Sequence, residues 1–234
     1  MKEEQAERWL HYVMSLIGGF LGGYAILNRS GLLGAAQTSN MINTVLNLAG
    51  VSFSGLAIRL GALVLYVSGI VATVLIPRYT RWDLKNVSLA LDAAAVLILG
   101  FLPQGMDNML ALYPLFFAMS VQWCTFQGCG GYASATVFST NNLRQFATAV
   151  TAFYFGREEK MREKIKFYGA TLAAFHLGVA ASWPCCNLAG VKSAWICLAP
   201  LAAAGYLAAA GRRVESVKIC ECRGEGGNVR GLAG

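Results

Sequence analysis

The chain has 234 residues, of which 56% are hydrophobic and only 13% are charged. Soluble domains usually carry about 25% charged residues, so this composition excludes an ordinary soluble protein and predicts a polytopic protein embedded in a lipid bilayer. A net charge of +7 in a soluble protein would suggest a nucleic-acid partner. Here the basic residues lie in short loops between apolar runs, where they orient spans, so we expect no nucleic-acid partner.

The apolar runs predict eight helical segments in an all-α membrane bundle. Two of the runs are too short to cross a bilayer alone, because a span needs about 20 residues. The six predicted spans cover about 9–27, 56–76, 87–102, 109–126, 167–183 and 191–210, and the two short segments cover about 38–48 and 141–155.

The distribution of Lys and Arg favours six spans plus two re-entrant half-helices, which enter the membrane and return to the same side. With both termini in the cytoplasm, all but four of the 19 Lys and Arg lie on the cytoplasmic side, as the positive-inside rule requires. The four exceptions are Arg29, Arg59, Arg144 and Lys192. If both short segments crossed fully, the loop 78–85 would lie outside, and eight spans is the open alternative.

The order of long and short segments repeats along the chain. We therefore predict one transmembrane domain over residues 1–210, with halves at about 9–102 and 109–210. Each half has three spans, an odd number, so the second half is inserted upside down, which is the inverted-topology repeat common among transporters. Residues 211–234 are basic and Gly-rich, and we predict a flexible cytoplasmic tail there.

Each short segment opens on a polar motif that follows a glycine-rich passage. Backbone N–H groups at a helix start inside a bilayer need partners, which Ser, Thr and Asn side chains can supply. Together with the helix dipole they form a site for an anion or a polar solute. We predict that the two openings meet near mid-membrane as a substrate site; the alternative is that the same side chains are hydrogen-bonding glue between helices. The predicted substrate-binding residues are Thr38, Asn40, Thr140, Asn141, Asn142, Arg144 and Gln145.

Three titratable residues lie within or beside these predicted segments. Arg144 falls in the first turn of the second short segment, where a cation opposes the helix dipole unless it meets a carboxylate or a bound anion. Asp92 lies inside a predicted span and could pair with Arg144 or couple transport to protons; the alternative is a solvated position near the headgroups. His176 is the second proton-coupling candidate, against a structural role in the bundle.

Two stretches resemble the signatures of the YoaK-like membrane proteins, a bacterial family of unknown function. Gln37-Thr38-Ser39-Asn40 is similar to its Gln-Thr-Gly-Asn motif, with Ser39 in place of the usual Gly. The run Gly131-Tyr132-Ala133-Ser134, followed by 138–145, is similar to the second signature. The resemblance implies a multi-pass protein of the bacterial inner membrane, and it implies no substrate or activity.

No pattern in the chain indicates an enzyme. There is no HExxH, GxSxG or P-loop motif, and only two His are present. The seven Cys do not form a disulfide or metal framework, so we predict no metal and no cofactor. The predicted function is a transporter or channel for a small polar or anionic solute, and the alternative is a non-transporting scaffold or regulatory subunit. The sequence is also compatible with a homo-oligomer of this protein.

Overall fold

A computed structural model describes residues 3–29, 37–51 and 53–227. The prediction of an all-helical protein is confirmed for this part of the chain, with one two-stranded hairpin as the exception. The helices are α1 (Glu3–Asn28), α2 (Gln37–Leu46), α3 (Phe53–Tyr79), α4 (Leu84–Phe101), α5 (Asn108–Ala111), α6 (Tyr113–Thr125), α7 (Thr140–Tyr154), α8 (Met161–Ala189) and α9 (Leu198–Gly227), with a π-helical segment at Asn47–Val51 and a 3₁₀ helix at Gly190–Cys197.

Four helical stretches in the described residues are long and apolar enough to cross a membrane. They are Glu4–Asn28, Gly55–Tyr79, Leu84–Phe101 and Met161–Arg212. Their exposed surfaces carry large apolar side chains, such as Val64 and Val74 on α3 and Leu177 on α8. Since such surfaces are unfavourable in water, the protein is membrane-embedded.

Local chemistry sets several helix starts and breaks. Asp83 begins α4 by accepting a hydrogen bond from the Lys85 backbone N–H at 3.1 Å. Asp107 accepts from two N–H groups at the start of α5. The predicted single helix 109–126 is instead divided into α5 and α6 at Leu112, and Pro114 lies in the first turn of α6, where its missing N–H costs nothing.

Other boundaries also differ from the prediction. α8 continues through Pro184, which is exposed, to Ala189. The last predicted span opens as the 3₁₀ helix and becomes α-helical only at Leu198. α9 then extends to Gly227, so the predicted flexible tail is helical up to that residue; residues 228–234 lie outside the described part of the chain.

α1 is the most deeply buried of the four candidate spans, and glycines bring its backbone against α8. A Cβ added at Gly19 would overlap the Phe175 carbonyl oxygen, and one added at Gly178 would overlap the Leu16 carbonyl oxygen. Both contacts lie about midway along the two helices, where α1 and α8 cross. Small residues thus allow the close approach of α1 and α8.

Ion pairs join the helices at one end of the bundle, here called the charged end. Lys85 Nζ lies 2.8 Å from Glu7 Oε1, which connects the starts of α4 and α1. Arg212 Nη1 lies 2.7 Å from Asp83 Oδ2, which connects α9 to the start of α4. α1 and α4 therefore begin at the charged end, and α9 returns to it.

Arg29 closes the opposite end of the bundle. Its side chain is fully buried, and its guanidinium donates to the carbonyl oxygens of Pro103 at 3.1 Å, of Gln104 at 3.4 Å and of Leu102 at 3.4 Å. These carbonyls directly follow α4, where the helix dipole favours a cation. The end of α1 is thereby fastened to the end of α4.

The glycine contact gives a first testable expectation. Gly178→Ala puts a methyl group into the backbone of α1, so we expect the free energy of unfolding to fall by about 1–3 kcal/mol in detergent. The control is Gly205→Ala, because a Cβ at Gly205 meets nothing within 4 Å. The higher helix propensity of Ala there should leave the free energy of unfolding unchanged or raise it slightly. Equal effects of the two substitutions on the thermal unfolding temperature would contradict this packing.

Candidate functional site

The second polar motif forms a buried hydrogen-bonded cluster at the start of α7. Asn142 is 1% exposed, and its Nδ2 donates to the Ala135 carbonyl at 2.7 Å and to the Phe138 carbonyl at 3.2 Å. Its Oδ1 accepts from the Ser134 hydroxyl at 2.9 Å. Asn142 therefore holds the irregular chain 134–138 against the helix that follows it.

The same cluster includes His11 of α1, whose Nε2 lies 2.9 Å from Ser134 Oγ. Since the Ser134 hydroxyl already donates to Asn142, its oxygen accepts from His11, which must carry its proton on Nε2. His11 is 2% exposed and stacks on Phe167 of α8. Its Nδ1 has no hydrogen-bond partner among the described residues.

A second set of contacts lies deeper along α1. The Gln122 amide on α6 donates to the Thr136 hydroxyl at 3.0 Å and to the Met14 carbonyl at 3.1 Å. A Cβ on Gly18 would overlap the Thr136 carbonyl oxygen, so the chain before α7 touches the backbone of α1 there. Gln122 Oε1 is buried and has no partner in the described part of the chain.

A hairpin leads the chain into this cluster. Its strands are β1 (Gly128–Cys129) and β2 (Tyr132–Ala133), joined by Gly130 and Gly131. Both glycines have positive φ, 60° and 81°, as a two-residue hairpin turn of type I′ requires. The Tyr168 hydroxyl of α8 donates to the Ala133 carbonyl at 2.7 Å and anchors the second strand. The glycine-rich passage noted in the sequence is therefore a hairpin that docks on α1 and α8.

The first polar motif is organised around Asn40. Asn40 is 4% exposed, and its Nδ2 donates to Gln37 Oε1 at 3.0 Å and to the Arg59 carbonyl of α3 at 3.1 Å. Thr38 is exposed. Asn40 Oδ1 and Gln37 Nε2 have no partner among the described residues. Asn40 thus connects the start of α2 to α3.

The expectation that the two motifs meet at one site requires correction. α2 packs against α3, whereas α7 packs against α8, and the two asparagines share no hydrogen-bond partner. The reason is that each short helix is held by the long helix that follows it in the chain, and α3 and α8 belong to different packed pairs.

Several predicted binding side chains face outward instead of into the cluster. Thr140 and Arg144 are exposed, while Asn141 and Gln145 are half-buried. Arg144 Nη2 donates to Asn141 Oδ1 at 2.9 Å, one turn away on the same helix. Pairing with Arg144, one of the two roles considered for Asp92, is not seen, because Arg144 is exposed on α7 whereas Asp92 is fully buried in α4.

Asp92 is completely buried in the middle of α4, so the solvated position considered for it is excluded. Neither carboxyl oxygen has a hydrogen-bond partner of standard geometry among the described residues, and the same holds for the buried Ser88 hydroxyl, which lies close by one turn earlier. The Cys197 thiol, where the 3₁₀ helix meets α9, is close enough to interact electrostatically with Asp92. The interior thus contains a carboxyl group that lies close to the Ser88 hydroxyl but makes no hydrogen bond of standard geometry with the described residues.

His176 lies on the exposed surface of α8, with Nδ1 2.8 Å from the Leu172 carbonyl of its own helix. Sequence reasoning selects His176 as the candidate and misses His11. Of the two histidines, His11 is the buried one. Its sequence signal is its spacing from Gly18: seven residues are about two helical turns, so both residues lie on the same face of α1.

Metal ligation finds no support in the described residues, where no three His, Cys, Asp or Glu side chains are close enough to hold an ion. The buried polar groups described above are instead mainly amides, hydroxyls, one imidazole and one carboxyl group. This chemistry suits the binding of polar neutral groups and of protons.

Comparison with known proteins gives one match. Residues 10–207 match the family described as "Protein of unknown function (DUF1275)". No curated protein and no solved structure matches the chain. The assignment covers most of the chain, and its description supplies no activity.

The Asn142 cluster gives a second testable expectation. Asn142→Ala leaves two carbonyls and the Ser134 hydroxyl without their partner, so we expect the free energy of unfolding in detergent to fall by about 2 kcal/mol or more. The neighbouring Asn141→Ala, which removes only a surface contact with Arg144, should change it by less than about 0.5 kcal/mol. The reverse order of the two effects would show that the buried bonds do not hold the loop.

Proposed function

Since the chain belongs to the DUF1275 family, whose description assigns no activity, we propose from the geometry that it is a proton-coupled transporter for a small polar solute. The observation that carries the proposal is the fully buried carboxyl group of Asp92, which makes no hydrogen bond of standard geometry with the residues that the structure describes. Ionisable residues inside membrane helices are costly, and they typically mark ion pathways and proton relays.

Six crossings of the bilayer are part of the proposal. The Met161–Arg212 stretch has 52 residues, equivalent to about 78 Å of helix, more than twice the hydrocarbon thickness of about 30 Å. The Trp195 indole N–H donates to the Leu97 carbonyl near the end of α4, whereas Arg212 pairs with Asp83 at its start. The stretch is therefore long enough for two crossings, by α8 and by the 3₁₀ helix with α9.

The contacts of the hairpin and of α7 support a re-entrant half-helix. The hairpin turn at Gly130 lies near Glu4 and Arg8 at the charged end, yet Thr136 touches α1 at Gly18, well inside the bundle. α7 follows that contact closely, and its Phe146 packs against Gly169, two turns from the start of α8. These contacts suit a chain that enters from the charged end, turns inside the bundle and leaves at the same end through α7.

An inverted repeat is supported by the way the helices pair. α1 packs on α8 as α6 packs on α3, and α7 packs on α8 as α2 packs on α3. A glycine allows close packing in both pairs: a Cβ at Gly178 would overlap the Leu16 carbonyl oxygen of α1, and one at Gly69 would overlap Ser120 Oγ of α6. In such architectures coupling sites lie near mid-membrane between the repeats, beside interrupted helices.

The position of Asp92 fits this arrangement. It lies eight residues after Leu84 and nine before Phe101, about 12 Å and about 14 Å from the two ends of α4. It is close to Cys197, where the helix changes from 3₁₀ to α, and such changes often mark hinges. A carboxyl group at a mid-membrane hinge can bind a proton from one side and release it to the other.

The proposed solute is polar and uncharged. Arg144, the cation expected to attract an anion, lies on the surface of α7, and the buried Arg29 donates through its Nη1 and Nη2 groups to the carbonyls after α4. The proposed orientation has the charged end in the cytoplasm, because the basic loops 78–85 and 157–166 lie on that side. We infer a multi-pass protein of the bacterial inner membrane from this orientation and from the resemblance to the YoaK-like proteins.

A second candidate function is a non-transporting scaffold. The observation in its favour is the cluster around Asn142, in which the amide nitrogen and oxygen of the Asn142 side chain both have protein partners. Such a cluster can act as glue between helices without binding a solute. A scaffold has no use for the unpartnered carboxyl group of Asp92, so transport is the better-supported function.

The coupling role is tested by flux through reconstituted liposomes that contain a pH-sensitive dye. We expect an imposed gradient of a panel of small neutral polar solutes to move protons with the wild-type protein, and Asp92→Asn to reduce this to the level of protein-free liposomes. Glu159→Gln, which removes an exposed carboxylate, is the matched control. Solute-driven proton movement that survives in Asp92→Asn would overturn the coupling role. No flux with the wild type, together with lowered stability in Asn142→Ala, would favour the scaffold.

The topology is tested by cysteine labelling in right-side-out vesicles, in a background where the seven native cysteines are replaced. A cysteine in place of the exposed Thr80 should react only after the membrane is opened, because the charged end faces the cytoplasm. One in place of the exposed Gln104 should react in intact vesicles. Labelling of position 80 from outside would exclude the six-span orientation.

A further inference from the structure

We propose that a groove at the charged end, formed by the start of α4 and by α9, binds the headgroup of an anionic phospholipid. The groove has a volume of about 620 Å³. It has a polar part, at the end of the bundle, and an apolar part that runs inward along α4. This site is separate from the interior around Asp92, and it does not depend on the transport proposal.

The polar part carries an excess of positive charge. Arg81 and Arg212 line it together with Asp83. Asp83 is already engaged, since it pairs with Arg212 at 2.7 Å and accepts from the Lys85 backbone N–H. Arg81 has no ion pair among the described residues and is exposed. The charge left over at the groove is therefore the guanidinium of Arg81, which can bind a phosphate with two parallel hydrogen bonds.

The apolar part lies at membrane depth. Val87, Ala90 and Leu91 line it, and they share one face of α4 because they are three and four residues apart. All three belong to the candidate span Leu84–Phe101, and Leu91 lies about 12 Å along the helix axis from Asp83. A charged end joined to an apolar wall that continues into the bilayer matches a phospholipid, whose phosphate and acyl chains are arranged in the same order.

Trp82 marks the level of the membrane surface. It lines the groove next to Arg81 and is 68% exposed, although its ring is large and apolar. Trp is enriched at bilayer interfaces because one side of the indole is apolar and its N–H needs a polar partner. Basic residues at a cytoplasmic membrane surface also attract anionic lipids. A soluble anion would satisfy Arg81 alone, whereas an anionic lipid also accounts for the apolar wall and for Trp82.

The test is native mass spectrometry of the full-length protein in detergent, with equimolar phosphatidylglycerol and phosphatidylcholine of identical acyl chains. We expect preferential retention of phosphatidylglycerol by the wild type. Arg81→Gln should weaken its binding about five-fold, which corresponds to about 1 kcal/mol. The control is Arg78→Gln, because Arg78 lies over the Tyr79 ring and does not line the groove. Arg81 has no ion-pair partner within the described fold, so its removal should leave the thermal unfolding temperature without added lipid unchanged.

Each other outcome overturns the proposal. Equal retention of the two lipids would mean that the groove does not distinguish an anionic headgroup from a zwitterionic one. Equal losses in Arg81→Gln and Arg78→Gln would assign the preference to general surface charge. Displacement of phosphatidylglycerol by the water-soluble glycerophosphoglycerol at equal concentration would identify a site for free phosphate, in which the apolar wall takes no part. Neither this experiment nor its failure bears on Asp92→Asn, which is measured by proton movement.

Discussion

The close backbone contact between α1 and α8 is the constraint on which the rest of the bundle depends. Gly19 and Gly178 leave no room for a side chain at the crossing, so the depth of α8 relative to α1 is set by backbone atoms. Phe167 of α8 then stacks on His11, and Tyr168 reaches the hairpin. Because α7 packs on α8, the start of α7 is also positioned by this contact. A small change at the glycines would therefore displace the polar cluster around Asn142.

The polar interior contains two kinds of site, one around Asn142 and one around Asp92, which differ in how many of their polar atoms have hydrogen-bond partners. The Asn142 side-chain amide has partners for both its nitrogen and its oxygen, and such bonds in a low-dielectric interior favour one arrangement of the chain around it. Around Asp92 the carboxyl and the Ser88 hydroxyl have no partner of standard geometry in the described residues. Burying such groups without a hydrogen bond destabilises the fold, and binding of a proton, a water molecule or a solute group would offset this free-energy cost. The first kind of site keeps the loop in place, and the second is suited to exchange.

The two ends of the bundle are held by different chemistry. At the charged end, exposed ion pairs such as Lys85–Glu7 and Arg212–Asp83 join α1, α4 and α9, and exposed pairs of this kind are individually weak. At the opposite end, the buried Arg29 donates to carbonyls that follow α4. Weak, solvated pairs can open and reform without a large barrier, whereas a buried guanidinium cannot leave its carbonyls cheaply. If the protein transports a solute as proposed, the charged end is the end of the bundle that opens at lower cost, and the change from the 3₁₀ helix to α9 is the proposed hinge.

The sequence alone determined the membrane class, the main helical segments and the places where short polar-starting helices follow glycine-rich passages. These features depend on composition and on local patterns, namely the length of the apolar runs and the place of the Gly-rich passages, which are visible without a partner. The capping expected at the start of α7 is absent, because its N-cap residue Ser139 makes no side-chain capping bond. The sequence also identified Asn142 and Asp92 as candidates, since an amide or a carboxyl group in an apolar run is costly to bury and is rarely present without a structural or functional role. Only the tertiary structure decided that the two motifs lie in different helix pairs, that Arg144 and His176 face outward, and that His11 faces inward. Which face of a helix is buried depends on its neighbours, and in a membrane protein both the lipid-facing and the buried faces are apolar, so the hydrophobic pattern carries little information about orientation.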